Sequence, residues 1–290
     1  MGVVYLILAH TAPEQVARLV RRISTPEDVV LVHVDRRTDL APFEEAFAAL
    51  PIPPRLTRRR VPVHWAGWGI VQATLIGMRD ALRLRRPWTH LVLLSGADYP
   101  IRSNDEIHAF YDANVGRSHL SWSDGHQPPM TDAERAGNHV WYWSGDRERL
   151  QTWWISIRGR RWHVERPRRL PRGLRTAYQG SAWWSLTPEA VRYCLRFLDR
   201  RPDVRWYFRF VHMPDENLFQ MLLLNSPLRD TLVNEDLRYM NWAGNSPPPI
   251  TLDDLEPMRA SRKLFARKFD PVAHPEPLDV LDALARPADR

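Results

Sequence analysis

Apolar runs alternate with amphipathic stretches along the first third of the chain. Residues 3–9 (VVYLILA) are apolar throughout, as a buried strand requires. Thr11 and Glu14 frame Pro13 as a capping box, and Val16, Leu19, Val20 and Ile23 then recur at helical spacing. Residues 29–34 form a second buried strand that ends at Asp35, and residues 42–50 a second helix before the Pro51–Pro54 break. Residues 55–63 read as a third, more exposed strand. Ile70, Ala73, Met78, Ala81 and Leu82 mark a helix that stops at Pro87, and residues 90–94 a fourth strand. This β-α-β-α-β-α-β order predicts an α/β fold, a parallel sheet flanked by helices.

The turn Ser95-Gly96-Ala97-Asp98-Tyr99-Pro100 follows the fourth strand, and Ser103 with Glu106 forms a second capping box. Binding loops of open α/β sheets lie at such strand ends. Residues 124–178 break the rhythm: they are dense in Arg and Trp and hold no sustained period, so they read as an insertion or lid. Trp141, Trp143, Trp153 and Trp154 are either platform residues there or a local core. Residues 181–186 return to strand, Thr187-Pro188 opens a helix to about Arg200, and a further helix is expected over 215–224. A short helix and the run KLFARKFD precede a Pro-rich tail, residues 271–290, expected to be poorly ordered.

Composition narrows the classes. The 290 residues are 44% hydrophobic and 26% charged, and no apolar run approaches the ~20 residues of a membrane-spanning helix. The first residues lack the basic flank and cleavage site of a signal peptide. Cys194 is the single cysteine, which excludes an intrachain disulfide and a cysteine zinc cluster and fits a reducing, cytoplasmic setting. A net charge of +7 suits an anionic partner: nucleic acid, a phosphorylated ligand or an acidic membrane surface. Only two of the 41 basic residues are lysine, Lys263 and Lys268, both in KLFARKFD.

The common cofactor motifs GxGxxG, GxxxxGK[ST] and HExxH are absent, and so is any Asp-x-Asp pair of the kind many nucleotide-sugar enzymes use to hold a divalent ion. No metal site is expected.

The segments LILAHTAPEQVARLV, VHVD, LLSGADYPIRSNDEI, GSAWWSLTPEAVRY, MPDENLFQMLLLNSP and KLFARKFD, in this order, resemble glycosyltransferase family 14. That family contains core-2/I-branching β-1,6-N-acetylglucosaminyltransferases and peptide O-xylosyltransferases. The likeness spans most of residues 3–270, fades over 124–178, and suggests a bacterial-type member. It implies a GT-A-like, Rossmann-type sheet flanked by helices. The expected layout is one glycosyltransferase domain over 1–270, with a nucleotide-sugar half (1–122), the Arg/Trp-rich insertion (124–178) and an acceptor/catalytic half (179–270). It also implies transfer of N-acetylglucosamine or xylose from a UDP-sugar, with inversion and without a metal ion. Such an in-line displacement needs one general base for the acceptor hydroxyl and positive charge for the departing diphosphate.

The resemblance places the base at Glu216 in Pro214-Asp215-Glu216-Asn217, with Asp215 as the alternative. At the start of a helix the macrodipole would favour the ionised form, although both acids are equally readable as ordinary helix-start residues. Lys268 matches the family's C-terminal lysine and, with Lys263 and Arg267, would neutralise the diphosphate; a solvated charged face is the plain alternative. The animal enzymes carry a further basic residue upstream, where this chain has Ser246-Pro247-Pro248-Pro249, and Arg267 or Arg238 is the expected substitute. His10, Thr11 and Asp35 are implied around the uridine, and Asp98 around sugar or ribose hydroxyls. His10 reads also as a satisfied strand-end histidine, and Asp98 as a turn cap. Trp65, Trp68, Trp183 and Trp184 are candidates for stacking on sugar or acceptor, or are core.

The expected partners are a UDP-sugar as co-substrate, with no other cofactor, and a glycan, peptide or small-molecule hydroxyl acceptor. Contact with the inner face of a membrane is compatible with the basic surface. A nucleic-acid-binding protein is the rival reading, from the charge and the Arg/Trp-rich segment. It leaves Glu216 and the lysine pair without a role.

Overall fold

A computed structural model describes residues 1–123, 146–157, 160–241 and 247–285. Its central sheet has seven strands: β1 (Gly2–Ala9), β2 (Val29–Val34), β3 (Arg55–Leu56), β4 (Trp88–Ser95), β6 (Ser118–Leu120), β9 (Trp184–Leu186) and β10 (Leu232–Asn234), in the order β10-β6-β9-β4-β1-β2-β3. Only β9 runs antiparallel to its neighbours, β4 and β6. The mostly parallel sheet flanked by helices is the expected α/β arrangement.

Two cores, one on each face of the sheet, explain the unbroken apolar runs. Successive side chains of a strand point to opposite faces. Val4 and Leu6 of β1, Leu31 of β2 and Leu91 and Leu93 of β4 therefore pack on one side, against α3 (Trp68–Leu82), α6 (Pro188–Arg200) and α8 (Leu218–Leu224). Tyr5, Ile7, Val30, Val32, Val92 and Leu94 pack on the other, against α1 (Pro13–Ile23), α2 (Ala41–Ala48) and α4 (Asn104–Ala113). Both faces are covered, so polar alternation has no place in these strands.

Two of the three expected helix starts hold. Ser103 and Glu106 close a capping box, and the Thr187 hydroxyl accepts the Ala190 N–H. The box expected at Thr11 and Glu14 does not form: Ala12 precedes the helix in the left-handed region, φ 53°, and leaves Thr11 one residue too early to cap. The expected strand over 55–63 shrinks to β3. Side chains of the neighbouring strand end capture the rest of its backbone, since Val61 donates to His33 Nε2 (3.1 Å) and Val63 to Asp35 Oδ1 (3.3 Å). The helix expected over 215–224 is divided at Asn217 into a 3₁₀ turn, Pro214–Glu216, and α8.

A second sheet of three short strands sits at the carboxyl end of β4. It comprises β5 (Tyr99–Pro100), β11 (Arg238–Met240) and β12 (Phe265–Arg267), in the order β11-β12-β5. In the Arg/Trp-rich segment, α5 (Asp146–Gln151) precedes a hairpin of β7 (Trp153–Ile157) and β8 (Arg160–Val164). Trp141 and Trp143 lie outside the described residues, as does the rest of 124–145.

The Pro-rich end is not a loose tail over its described length. Helix α10 (Glu276–Ala285) buries Leu278 and Leu281 and is tied to α1 by Arg18, which reaches Asp279 at 2.7 Å and Asp282 at 2.9 Å. Another short helix, α7 (Pro202–Phe208), follows α6 directly, and α9 (Leu255–Ala260) precedes KLFARKFD.

Candidate active site

The chain leaves β1 towards β2 on one side, while β4 lies on the other. The carboxyl ends of β1 and β4 thus border the switch point at which open α/β sheets bind ligands. His10 and Thr11 are exposed there, directly after β1. The turn after β4 closes onto the same edge, with the Gly96 N–H on the Leu8 carbonyl at 3.1 Å. A Cβ at Gly96 would meet Val16 Cγ2 of α1 at 2.8 Å, so side-chain-free backbone keeps the turn against the helix.

Asp35, at the end of β2, is buried and engaged. Its Oδ1 accepts the Arg37 N–H (2.9 Å) and the Val63 N–H, and its Oδ2 pairs with Arg37 Nη2 at 2.8 Å. Burial alone would raise its pKa, but the bonds from Arg37 and Val63 outweigh it and hold the carboxyl below its ordinary value. Asp35 therefore fixes the loop over the strand ends, next to His10, whose carbonyl accepts from Thr38 Oγ1 at 3.0 Å.

The small second sheet assembles a charge cluster from residues far apart in sequence. Arg238 and Arg267 stand on one face of adjacent strands, because Arg238 pairs with Phe265 and Met240 with Arg267. Asp98, fully buried in the turn before β5, lies between them: Arg238 Nε is 3.8 Å from Oδ2 and Arg267 Nε 3.7 Å from Oδ1. Ser95 supplies its hydroxyl (2.7 Å) and its N–H (2.9 Å) to the same carboxylate. Arg238 is inaccessible and bonds the Leu93 carbonyl at 2.6 Å, so it underlies the cluster.

Arg267 reaches the surface, 17% exposed, with its guanidinium 4.3 Å from the ring centre of Trp183 and no hydrogen-bond partner on Nε. Burial lowers its pKa, while the charges of Asp98 and then Asp236 and Glu216 pull it back up. Lys268, next in the chain, is exposed, and Phe269 donates to the Ala97 carbonyl at 2.9 Å, which sets this segment against the Ser95–Asp98 turn. Lys263 is turned away: it pairs with Glu235 and lies 3.8 Å from Asp236.

Glu216 ends the 3₁₀ turn ahead of α8. Three features hold that turn. Met213 adopts φ 51° and its N–H bonds the Ala66 carbonyl at 3.1 Å, with Ala66 itself at φ 57°. The Glu216 carbonyl accepts the Gly180 N–H at 2.8 Å, and a Cβ at Gly180 would fall 1.9 Å from the Ser121 carbonyl oxygen. The side chain of Glu216, 25% exposed, pairs with Arg149 Nη1 of α5 at 3.1 Å. Beside it Asp215 has an Oδ1 without a partner, and burial pushes its pKa up to about 6 against the pull of Arg149. Non-glycine residues at positive φ cost ~1–2 kcal/mol each, and Ala12, Ala66, Met213 and Leu237 all adjoin site segments.

The tryptophans separate. Trp183 lies under Arg267, while Trp184 is fully buried against Phe219 at 5.3 Å, out of reach of any ligand. Trp68 begins α3 and packs against the core. Trp65 is 69% exposed, with Arg161 4.6 Å from its ring centre and His212 edge-on at 6.1 Å. His212 in turn stacks on Trp154 at 4.4 Å, and His163 stacks on the same indole at 4.3 Å.

Asp98, Arg267, Trp183 and Glu216 are thus gathered, with Lys268 at their edge and His10 and Thr11 at the neighbouring strand ends. Lys263, Trp184 and the carboxylate of Asp35 are committed elsewhere. Arg149 escaped sequence reasoning, since one arginine in an arginine-dense segment carries no signal. Arg37, the partner of Asp35, was overlooked for the same reason. Among the described residues, no three His, Cys, Asp or Glu side chains group as metal ligands.

Known proteins resemble this chain along its length. Rat xylosyltransferase 1 is 26% identical over 311 residues, covering 97% of this chain and 35% of that protein. Human xylosyltransferase 2 is 26% identical over 302 residues, 97% of this chain and 33% of that one. Xylosyltransferase oxt of Drosophila pseudoobscura pseudoobscura is 27% identical over 297 residues, 92% and 31% respectively. The chain spans about a third of the length of these relatives. The apo crystal structure of mouse xyloside xylosyltransferase 1 matches 92% of this chain and 97% of its own at 12% identity and TM-score 0.41, too loosely to carry an argument. The sequence model of the family described as Core-2/I-Branching enzyme matches residues 3–266, and the chain belongs to that family.

Proposed function

We propose that this chain is an inverting glycosyltransferase that moves N-acetylglucosamine or xylose from a UDP-sugar to an acceptor hydroxyl, with cationic side chains in place of a divalent metal. Family membership and the xylosyltransferase relatives support UDP-sugar transfer. The observation that carries the rest is Arg267: a guanidinium stacked on Trp183, anchored to Asp98, open on one side and within the field of Glu216.

In the proposed step the acceptor oxygen attacks the anomeric carbon from the face opposite the diphosphate, and the carbon–oxygen bond to UDP breaks as the new glycosidic bond forms. The Glu216 carboxylate takes the acceptor proton. Arg149 fixes the orientation of that carboxylate, and a base so placed contributes ~100-fold or more. Arg267 and Lys268 absorb the negative charge that develops on the leaving diphosphate. His10 and Thr11 border the nucleoside, and Trp183 with the exposed Trp65 the sugar and acceptor rings. Asp98, expected at sugar or ribose hydroxyls, is fully buried with both oxygens bonded by Ser95, so it acts through Arg267 instead. The buried, unpaired Cys194 supports a reducing compartment such as the cytoplasm.

The test is a thermal-shift screen against a panel of UDP-sugars, followed by a product assay with the anomeric configuration read by NMR. Stabilisation by UDP-xylose or UDP-N-acetylglucosamine, an inverted product and activity unchanged by EDTA are expected. A retained configuration, or activity restored only by manganese, would contradict the proposal.

A further inference from the structure

We infer that the outer face of the β7–β8 hairpin, together with α7, is a docking surface for an anionic lipid bilayer. The hairpin register pairs Trp153 with Val164 and Ile155 with Trp162, so these four side chains share one face. That face continues into α7, where Trp206 meets Trp153 at 5.3 Å and Phe210 at 5.1 Å. Trp162 is 47% exposed, Val164 42% and Trp206 53%, so the patch is only half covered among the described residues. Exposed apolar patches of this kind mark interaction sites.

Charge selects the partner. Residues 160–169 contain five arginines against one acid, Glu165. Arg160 shares the face of Trp162, exposed Arg166 follows the strand, and exposed Arg205 and Arg209 flank Trp206. The nearest acid on α7, Asp203, is already paired with Arg201 at 2.7 Å. Half-exposed indoles rimmed by arginine suit the interface of an anionic bilayer, where rings sit at headgroup depth and each cation adds attraction. Nucleic acid fits less well, because Val164 and Ile155 offer no stacking surface. Arg168 clamps the hairpin end in place through the carbonyls of Leu150, Tyr207 and Phe210, each at 3.0–3.1 Å. The opposite hairpin face carries Trp154, which stacks on His163 and on His212, so that face is packed against the protein and the Trp162 face is the one left outward.

The test is sedimentation of the whole chain with sucrose-loaded vesicles, either of phosphatidylcholine alone or with 40% phosphatidylglycerol. Partition onto the anionic vesicles only, weakened by salt, is expected. Trp162→Ser with Trp206→Ser should reduce partition about tenfold, and Arg160→Gln with Arg209→Gln roughly fivefold per charge. The arginine pair guards against a folding defect from the tryptophan changes, and an unchanged melting temperature confirms it. No partition onto anionic vesicles, or partition insensitive to both pairs, would overturn the inference. So would binding of a single-stranded oligonucleotide through these residues without vesicle binding. None of these readouts depends on sugar transfer, so this inference and the proposed activity fail separately.

Discussion

Asp98 and Glu216, two carboxylates whose charge Arg267 feels, have different surroundings. Asp98 is fully buried, bonded at both oxygens by Ser95 and flanked by two guanidinium groups. Glu216 is a quarter exposed and meets Arg149 from a separate element. A carboxylate saturated with donors and cations serves as a fixed negative post that aims Arg267. A carboxylate that solvent reaches is open to an incoming hydroxyl, as a general base must be. In the proposed mechanism the second sheet is the frame, and the 3₁₀ turn carries the base.

The largest effect should come from dismantling the frame. Arg238→Met leaves Asp98 buried with half its positive partners, and breaking such a pair costs about 3–5 kcal/mol. Chemical denaturation should show that loss, and a change under 1 kcal/mol would mean that Asp98 does not need Arg238. Next in size is the response to acid. His33, His119 and His212 are pushed down to about 4 by burial, from an ordinary 6.5. Between those values the unfolded chain binds more protons, so their stabilisation is full above 6.5 and lost as pH falls towards 4. Asp215 works the other way: its folded pKa of about 6 lies above the ordinary 3.8, so its contribution is full below 3.8 and lost as pH rises through 6. Melting temperatures should fall from pH 6.5 to 4, and more steeply in Asp215→Asn; an equal or shallower slope in the variant would remove Asp215 from the ledger of buried acids.

Smaller changes separate the two lysines. Lys268→Ala should weaken UDP about tenfold while sparing uridine, as loss of a phosphate contact would. Equal losses for both ligands would contradict that assignment. Lys263→Ala, which removes the partly exposed pairing with Glu235, should cost under ~1 kcal/mol and leave UDP affinity alone. A UDP defect there would move the diphosphate towards the frame.

The parallel strands and helices α1 to α4 were legible because burial on both faces, helical spacing and the Ser103 box are local signals. The second sheet was not. Its strands are two or three residues long, and β12 pairs on one side with β11, a short way back in the chain, and on the other with β5, more than 100 positions away, so neither propensity nor period marks them. Arg238 and Arg267 could be flagged as basic residues, but only the register puts them on one face around Asp98. Prolines at 271, 275 and 277 made the chain end look loose, yet Pro277 occupies the first turn of α10, where a missing N–H costs nothing. Trp183 and Trp184 show the limit most clearly: adjacent in sequence and alike in chemistry, they point to opposite faces, one under Arg267 and one into the core.

The most direct measurement compares turnover and UDP-induced thermal stabilisation in Glu216→Gln. The swap keeps shape and the Arg149 contact but removes the proton acceptor. Transfer should fall ~100-fold or more while UDP stabilisation stays at the wild-type level. Turnover equal to wild type would place the base on another residue and contradict the account.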